Sequence, residues 1–288
     1  GSQVGCQAGG STGGRSGSQA SGGALAGDGD GSRTSSGTTS QACSGTSSQA
    51  GSKAGRCASG WAGRQPIGRA VPAVTQVRLL VFAKAPLPGR VKTRLIPALG
   101  AEGAARLAGR LLCHALTQAL EADLGPVEVC ASPAPVHPDW RPWLPILNQI
   151  GAPRPRLSWS DQGEGDLGAR MARSAQGYLD AGEPVLLMGT DCPALTPHRL
   201  REAARALHGH EAVLIPARDG GYVLLGLRAF HPALFTAMPW GTATVADLTL
   251  KRLRDLNWRV WVGEALADID VPADLAVLPG GMAQTRSA

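Results

Sequence analysis

The chain has 288 residues, a formal net charge of +6 and six cysteines without a C-x-x-C pair. No Lys/Arg run with interleaved aromatic residues occurs, which argues against a nucleic-acid partner, and no apolar run is long enough to cross a bilayer. The cysteine pattern excludes a zinc knuckle and favours reduced thiols in a cytoplasmic protein.

The N-terminal part differs sharply in composition from the rest. Its first 64 residues hold 18 of the 39 glycines and a single aromatic residue, Trp61. Such a stretch cannot bury enough apolar surface to offset its ordering entropy. We therefore predict a disordered tail over 1–75, one folded domain over 76–280 and a short C-terminal tail over 281–288. Because the first tail is Ser-rich and acid-poor, import into an organelle is the alternative to a cytoplasmic location.

Apolar runs and helical periods alternate after residue 76. Strands are predicted at Val77–Ala83, Pro126–Ala131, Arg156–Trp159, Pro184–Met188, Val213–Pro216, Tyr222–Leu227 and Arg259–Val262. Helices are predicted at Ala101–Ala122, Leu167–Ala181, Pro197–Leu207, Thr244–Leu256 and Pro272–Leu278. The Pro- and Trp-rich stretch 133–155 is expected to be irregular. The alternation predicts an α/β protein with a mostly parallel sheet covered on both faces, whose ligand lies at the carboxyl ends of the strands.

A cationic loop, Lys84–Arg94, follows the first predicted strand directly. Its prolines, including Pro88, and Gly89 favour a rigid, non-helical conformation. Four cations, Lys84, Arg90, Lys92 and Arg94, fall within these eleven residues. Because like charges repel unless an anion neutralises them, we expect a polyphosphate here, with a solvated basic loop as the alternative. The loop matches neither the Walker A nor the G-x-G-x-x-G pattern.

Two acidic motifs follow predicted strands. Asp191 comes just after the apolar strand that ends at Met188, and Asp268 and Asp270 alternate along an extended segment. Alternate side chains point the same way, so this pair could converge on one hard cation such as Mg²⁺ or Mn²⁺. The alternatives are that Asp191 caps the next turn and that the pair is a surface turn. Asp274 is expected to cap the last helix.

Two glycine-rich segments complete the pattern. Asp219–Tyr222 contains paired glycines, Gly220 and Gly221, which permit close approach of the backbone to a ligand, although this motif taken by itself favours a hairpin turn. The segment Gln162–Met171 leads into a helix whose N-terminus could hold an anion. Within it, Arg170 could instead pair with a neighbouring acid.

Together the five segments resemble the radical-SAM/selenodomain-associated transferases, also described as arsenosugar-biosynthesis-type glycosyltransferases. The matching patterns are A-K-x-P-x-P-G-x-V-K-T-R-L at Ala83–Leu95, D-L-G-x-R-M at Asp166–Met171, G-x-D-x-P-x-L at Gly189–Leu195, D-G-G-Y-x-L-x-G-L at Asp219–Leu227 and D-I-D-x-P-x-D at Asp268–Asp274. They cover the whole predicted domain, and Val271 and Ala273 are minor departures from the pattern.

The resemblance implies a GT-A-like, nucleotide-diphospho-sugar-transferase-like fold with three α/β/α layers over 76–280. It assigns Asp191, Asp268 and Asp270 to a divalent metal, Mg²⁺ or Mn²⁺. It assigns the phosphates to Lys84, Lys92 and Arg94. The motifs add further candidates for binding the substrate or nucleotide, namely Pro88, Gly89, Asp166, Arg170, Gly189, Gly220, Gly221 and Tyr222.

Three functions follow from these motifs. The first is transfer of a sugar from a nucleotide sugar to a small-molecule acceptor, with Asp219 taking the acceptor proton and Lys92 neutralising the departing phosphates. The second is nucleotidyl transfer, in which a phosphorylated acid attacks a nucleoside triphosphate and releases pyrophosphate. The third is a non-catalytic nucleotide-binding or scaffolding protein that uses the tail for partners, against which the pair Asp268 and Asp270 argues. No nucleic-acid or membrane partner is expected, and the oligomeric state is not predicted.

Overall fold

A computed structural model of the chain describes residues 76–151 and 157–279. Within these ranges the strands are β1 (Arg78–Lys84), β2 (Val127–Ser132), β3 (Leu157–Asp161), β4 (Val185–Met188), β5 (Ala212–Pro216), β6 (Tyr222–Leu227) and β7 (Val260–Val262). The α-helices are α1 (Ile96–Ala122), α2 (Leu144–Gly151), α3 (Leu167–Asp180), α4 (Pro197–Leu207) and α5 (Val245–Asp255). Short 3₁₀-helices form at Thr93–Leu95, Pro138–Trp140, Pro232–Leu234 and Pro272–Val277. The tails predicted over 1–75 and 281–288 lie outside the described residues.

The strands form one sheet in the order β3-β2-β1-β4-β6-β5-β7. β6 runs antiparallel to both β4 and β5, because a tight turn joins it to β5, and the other neighbouring pairs are parallel. The prediction of a mostly parallel sheet is confirmed. In this order β1 and β4 are central neighbours, so the segments that follow them leave the sheet side by side.

Alternation along β1 divides the core between the two faces of the sheet. Leu79 and Val81 pack with residues of α1 and α4, whereas Leu80 packs with residues of α3 and α5. All three side chains are wholly buried. Helices therefore cover both faces, as predicted for a three-layer α/β/α domain. In the described part of the chain, no helix is both long and apolar enough to cross a membrane.

The stretch 133–155, predicted to be irregular, contains a 3₁₀-turn and the helix α2. Trp140 is wholly buried, its indole Nε1 donates to the carbonyl oxygen of Pro133 at 2.8 Å, and Leu147 is also wholly buried. The prediction was wrong because the prolines indicate where helices cannot continue, while the apolar residues that anchor α2 find their partners only in the folded core. The last predicted helix, at 272–278, is a 3₁₀-helix over Pro272–Val277.

Candidate active site

A cavity of about 550 Å³ lies at the carboxyl edge of the sheet. The end of β1, the segment after β4 and the turn between β5 and β6 all reach it. The predicted site residues that line it are Lys84, Lys92, Arg94, Gly189, Asp191, Asp219 and Asp270. This is where an α/β sheet of this type binds ligands, because strand ends and their loops converge there.

Lys92 is the best buried charged side chain of the cavity, with 6% of its side chain exposed. Its ammonium Nζ lies 2.7 Å from Oδ2 of Asp191 and 3.9 Å from Oδ1 of Asp270, and it donates to the carbonyl oxygen of Ile269 at 2.5 Å. The backbone of Lys92 is left-handed, with φ of 48°, at the start of a 3₁₀-turn. Lys92 therefore ties the cationic loop to two segments that follow it in the chain.

The other cations of the loop are more exposed. Arg94 binds Oδ2 of Asp270 at 2.5 Å, and Arg90 lies 3.4 Å from Oδ2 of Asp139 with 73% of its side chain exposed. Lys84 is exposed and lines the cavity at the end of β1. Such solvent-screened ion pairs exchange partners at little cost, so these side chains can turn to an arriving anion.

The segment 268–270 is fixed by backbone contacts on both sides. The amide of Ile269 donates to the carbonyl oxygen of Asp191 at 2.9 Å, and the Ile269 side chain is wholly buried. Oδ2 of Asp274 accepts the amides of Asp270 at 2.8 Å and Val271 at 2.7 Å, which is the capping role expected for it.

Asp268 and Asp270 have different surroundings. Asp270 lines the cavity and meets Lys92 and Arg94. Asp268 is half-buried, and its pKa is raised, mainly by burial and next by the negative charge of Asp219. Asp191 also raises this pKa, whereas Lys92 lowers it. Four carboxylates thus share one region, with the buried ammonium of Lys92 beside them.

Carboxylate oxygens are the ligands that Mg²⁺ and Mn²⁺ prefer, and mutual repulsion of Asp191, Asp219 and Asp268 would be relieved by such an ion. Over residues 76–151 and 157–279, no three Asp, Glu, His or Cys side chains are arranged as a ligand set. Instead, the Lys92 ammonium contacts Asp191. The donor chemistry fits a divalent cation, and Lys92 competes with that cation for Asp191.

Replacing Asp268 with asparagine is expected to stabilise the metal-free protein at pH 7. A raised carboxyl pKa means that the folded state binds the proton more tightly, so the ionised side chain is unfavourable at neutral pH and harmless at low pH. The gain should be small, because solvent screens a half-buried group. Urea denaturation at pH 7 and near pH 4 measures it. A gain that does not shrink toward pH 4 would contradict this explanation.

Asp219 lies in the turn between β5 and β6 and is exposed to the cavity. Its Oδ1 accepts the amide of Gly221 at 2.9 Å, which leaves Oδ2 without that constraint. Gly220 has φ of 91°, and a Cβ atom there would lie 2.1 Å from the carbonyl oxygen of Ala243. Only glycine fits this turn, which therefore packs directly against the segment that precedes α5.

The remaining predicted residues do not line the cavity. Asp166 caps α3 by accepting the amide of Ala169 at 2.8 Å, and Arg170 donates to the carbonyl oxygen of Gly165 at 2.9 Å. The Tyr222 hydroxyl lies 3.9 Å from the sulfur of Met171, and burial raises its pKa. The predicted site residues that do not line the cavity are Pro88, Gly89, Asp166, Arg170, Gly220, Gly221, Tyr222 and Asp268.

Several lining residues were not predicted from the sequence. Gln162 is buried, and its Nε2 donates to the carbonyl oxygens of Cys130 at 2.7 Å and Ala83 at 3.2 Å, which joins the ends of β1 and β2. Thr190, Leu167 and Gly241 also line the cavity. Gln162 could have been predicted as a lining residue, because it is a polar residue directly after a strand. No local sequence feature identifies Gly241 as one.

Comparison with known proteins agrees with this architecture. A candidate nucleotide-diphospho-sugar transferase from Desulfovibrio desulfuricans G20 is 30% identical, with 73% of this chain and 89% of that chain covered and a TM-score of 0.62. The family model DUF2064, described as "uncharacterized protein conserved in bacteria", matches residues 115–242. No curated protein matches the chain.

Two more distant structures also align. One is a 4-diphosphocytidyl-2C-methyl-D-erythritol synthase from Anaerococcus prevotii, at 12% identity, 71% and 97% coverage of the two chains and a TM-score of 0.44. The other is Rv0371C of Mycobacterium tuberculosis in complex with manganese, at 15% identity, 68% and 93% coverage and a TM-score of 0.39. Both are too dissimilar to inform the site. The chain therefore belongs to the family of the Desulfovibrio desulfuricans protein, with a nucleotide-diphospho-sugar-transferase-like α/β fold and the DUF2064 pattern within it.

Proposed function

We propose that the protein is a metal-dependent transferase that moves a sugar from a nucleotide-sugar donor to a small-molecule acceptor. One observation carries this proposal: a single cavity is lined by the cations of the loop Lys84–Arg94 and by carboxylates from three other segments. Cations bind the diphosphate of such a donor, and carboxylates serve both metal binding and proton removal. The proposal includes an acceptor of the kind used in arsenosugar biosynthesis, because the motifs resemble those of the arsenosugar-biosynthesis-type glycosyltransferases.

Four cationic side chains and three acidic ones line the cavity, and two of the cations, Lys92 and Arg94, are paired with Asp191 and Asp270. A divalent ion held by these carboxylates would release both cations, so the charge pattern serves a nucleoside diphosphate and a triphosphate alike. Sugar transfer is the first function to test because the chain belongs to the family of a candidate nucleotide-diphospho-sugar transferase.

In the proposed reaction, Lys84, Lys92 and Arg94 bind the phosphates of the donor, and their positive charge stabilises the departing nucleoside diphosphate. Asp191, Asp268 and Asp270 would hold Mg²⁺ or Mn²⁺, which supplies further charge neutralisation on the leaving group. Asp219 accepts the proton of the acceptor hydroxyl, since it lines the cavity and its second carboxylate oxygen is not held by the turn.

A thermal-shift panel tests the donor class. We expect nucleotide sugars with Mn²⁺ to raise the Tm by about 3–6 °C at ten times Kd, because ligands that bind only the folded state stabilise it. In Asp191→Asn, the part of the shift that depends on Mn²⁺ should disappear, and the Tm without ligand should fall, because the buried Lys92 ammonium loses its nearest carboxylate. Stabilisation by triphosphates alone would replace sugar transfer with nucleotidyl transfer, and no shift with either class would leave the scaffold hypothesis.

A further inference from the structure

The segment of residues 138–147, here called the brace, contacts the cationic loop from outside the cavity. Its Trp140 anchors it in the core, where the indole ring meets Trp159 edge-to-face at 5.3 Å between centroids. Its Asp139 lies 3.4 Å from Arg90 of the loop. Arg90 is largely exposed, so that ion pair alone holds the loop weakly.

A second contact between the brace and the loop is better shielded from solvent. The indole Nε1 of Trp143 donates to the carbonyl oxygen of Pro86 at 3.3 Å. Pro86 is buried and lies two residues after Lys84, at the start of the loop. The amide of Ala85 also donates to the carbonyl oxygen of Ser132, at 2.9 Å. The loop is thus fixed near its start by Ala85 and Trp143 and near its end by Lys92, with the backbone from Leu87 to Val91 spanning these points.

Trp143 is itself seated in a notch in α1. A Cβ atom built at Gly109 would lie 1.7 Å from the nearest ring carbon of Trp143 and 2.2 and 2.5 Å from two others. Any larger residue at Gly109 would therefore push the indole ring out of place. A glycine inside a long helix costs up to ~1 kcal/mol relative to alanine. The close approach of the ring is the physical reason that the position is glycine.

We propose that Trp143, seated against Gly109, is a positioning residue that holds the cationic loop in the shape that binds the phosphates of the nucleotide. The proposal rests on the proposed function, since it assumes that the loop binds a nucleotide. Trp143 does not line the cavity, so it acts through the Pro86 carbonyl rather than on the substrate.

Two variants test the proposal from opposite sides. Trp143→Phe keeps an aromatic ring beside Gly109 and removes only the N–H donor, whereas Gly109→Ala keeps the donor and displaces the ring. In each variant, we expect the KM or Kd for the nucleotide to rise about three- to tenfold, which corresponds to the free energy of one hydrogen bond. The value of kcat should stay within about twofold of the wild type. Gly177→Ala is the control, because Gly177 also lies in a helix and nothing lies within 4 Å of a Cβ there.

Amide hydrogen exchange of Leu87 and of residues 89–92 gives a readout that needs no nucleotide; Pro86 and Pro88 have no amide hydrogen. Exchange should become faster in Trp143→Phe and Gly109→Ala and remain unchanged in Gly177→Ala, because the loop loses its anchor at the Pro86 carbonyl. Unchanged exchange in both variants overturns the proposal, and so does unchanged nucleotide affinity when the wild type binds. If the wild type binds no nucleotide, the proposed function fails, and exchange alone decides the role of Trp143.

Discussion

Lys92→Met is expected to abolish nucleotide-dependent activity and to lower the free energy of unfolding by about 1–3 kcal/mol. Methionine matches the length of the lysine stem but leaves Asp191, Asp270 and the Ile269 carbonyl without their shared donor. The loss in the free energy of unfolding should be smaller than for a fully buried ion pair, because 47% of the Asp191 side chain is exposed. Urea denaturation measures the loss of stability, and steady-state kinetics with the nucleotide donor measure the loss of activity.

Lys84→Met provides the matched control for this variant. Lys84 belongs to the same loop and lines the same cavity, but it is exposed and makes no ion pair with the described residues. Its loss should weaken nucleotide binding without changing stability, since a solvated charge contributes little to folding. If both lysine variants behaved alike in denaturation, Lys92 would not be the link between segments that its contacts indicate.

Asp219→Asn is expected to lower kcat by about 10²–10⁴ while nucleotide affinity changes little, because loss of a general base removes proton transfer but no phosphate contact. The asparagine side-chain oxygen can still accept the Gly221 amide, so the turn and its packing should persist. Steady-state kinetics with the donor identified by the thermal-shift panel measure the change in kcat and KM separately.

Asp161→Asn is the control for Asp219→Asn, because it makes the same local contact elsewhere. Oδ1 of Asp161 accepts the amide of Gly163 at 2.9 Å, as Oδ1 of Asp219 accepts that of Gly221. Asp161 is exposed and does not line the cavity. Its replacement should leave kcat unchanged. An equal loss in both variants would mean that turn geometry, and not proton transfer, explains the effect.

Much of the fold follows from local sequence patterns. The continuous apolar run of β1 predicts a strand buried on both faces, and Thr196 before Pro197 marks the start of α4, where its hydroxyl accepts the Arg199 amide at 3.4 Å. These features depend on residues close in the chain, so a single sequence contains their explanation. The same applies to Asp274, whose capping contacts reach back only to residues 270 and 271.

The sequence also indicates which segments meet, though not how. Strand ends with polar motifs predict one site at the carboxyl edge of the sheet, because the carboxyl ends of parallel strands share that edge. The motif pattern alone cannot distinguish a residue that lines the cavity from one that supports the wall. Tyr222 and Arg170 belong to the matched patterns but contact the protein instead of the cavity.

By itself, the sequence determined the α/β alternation, the cationic loop and the acidic motifs of this protein. Only the tertiary structure decided which charges pair: Lys92 reaches Ile269, 177 residues later, and Asp268 and Asp270 have different neighbours although they are alternate residues of one segment. It also decided the position of Trp143 against Gly109. Such contacts join distant segments through packing, and packing depends on the whole core rather than on any local propensity.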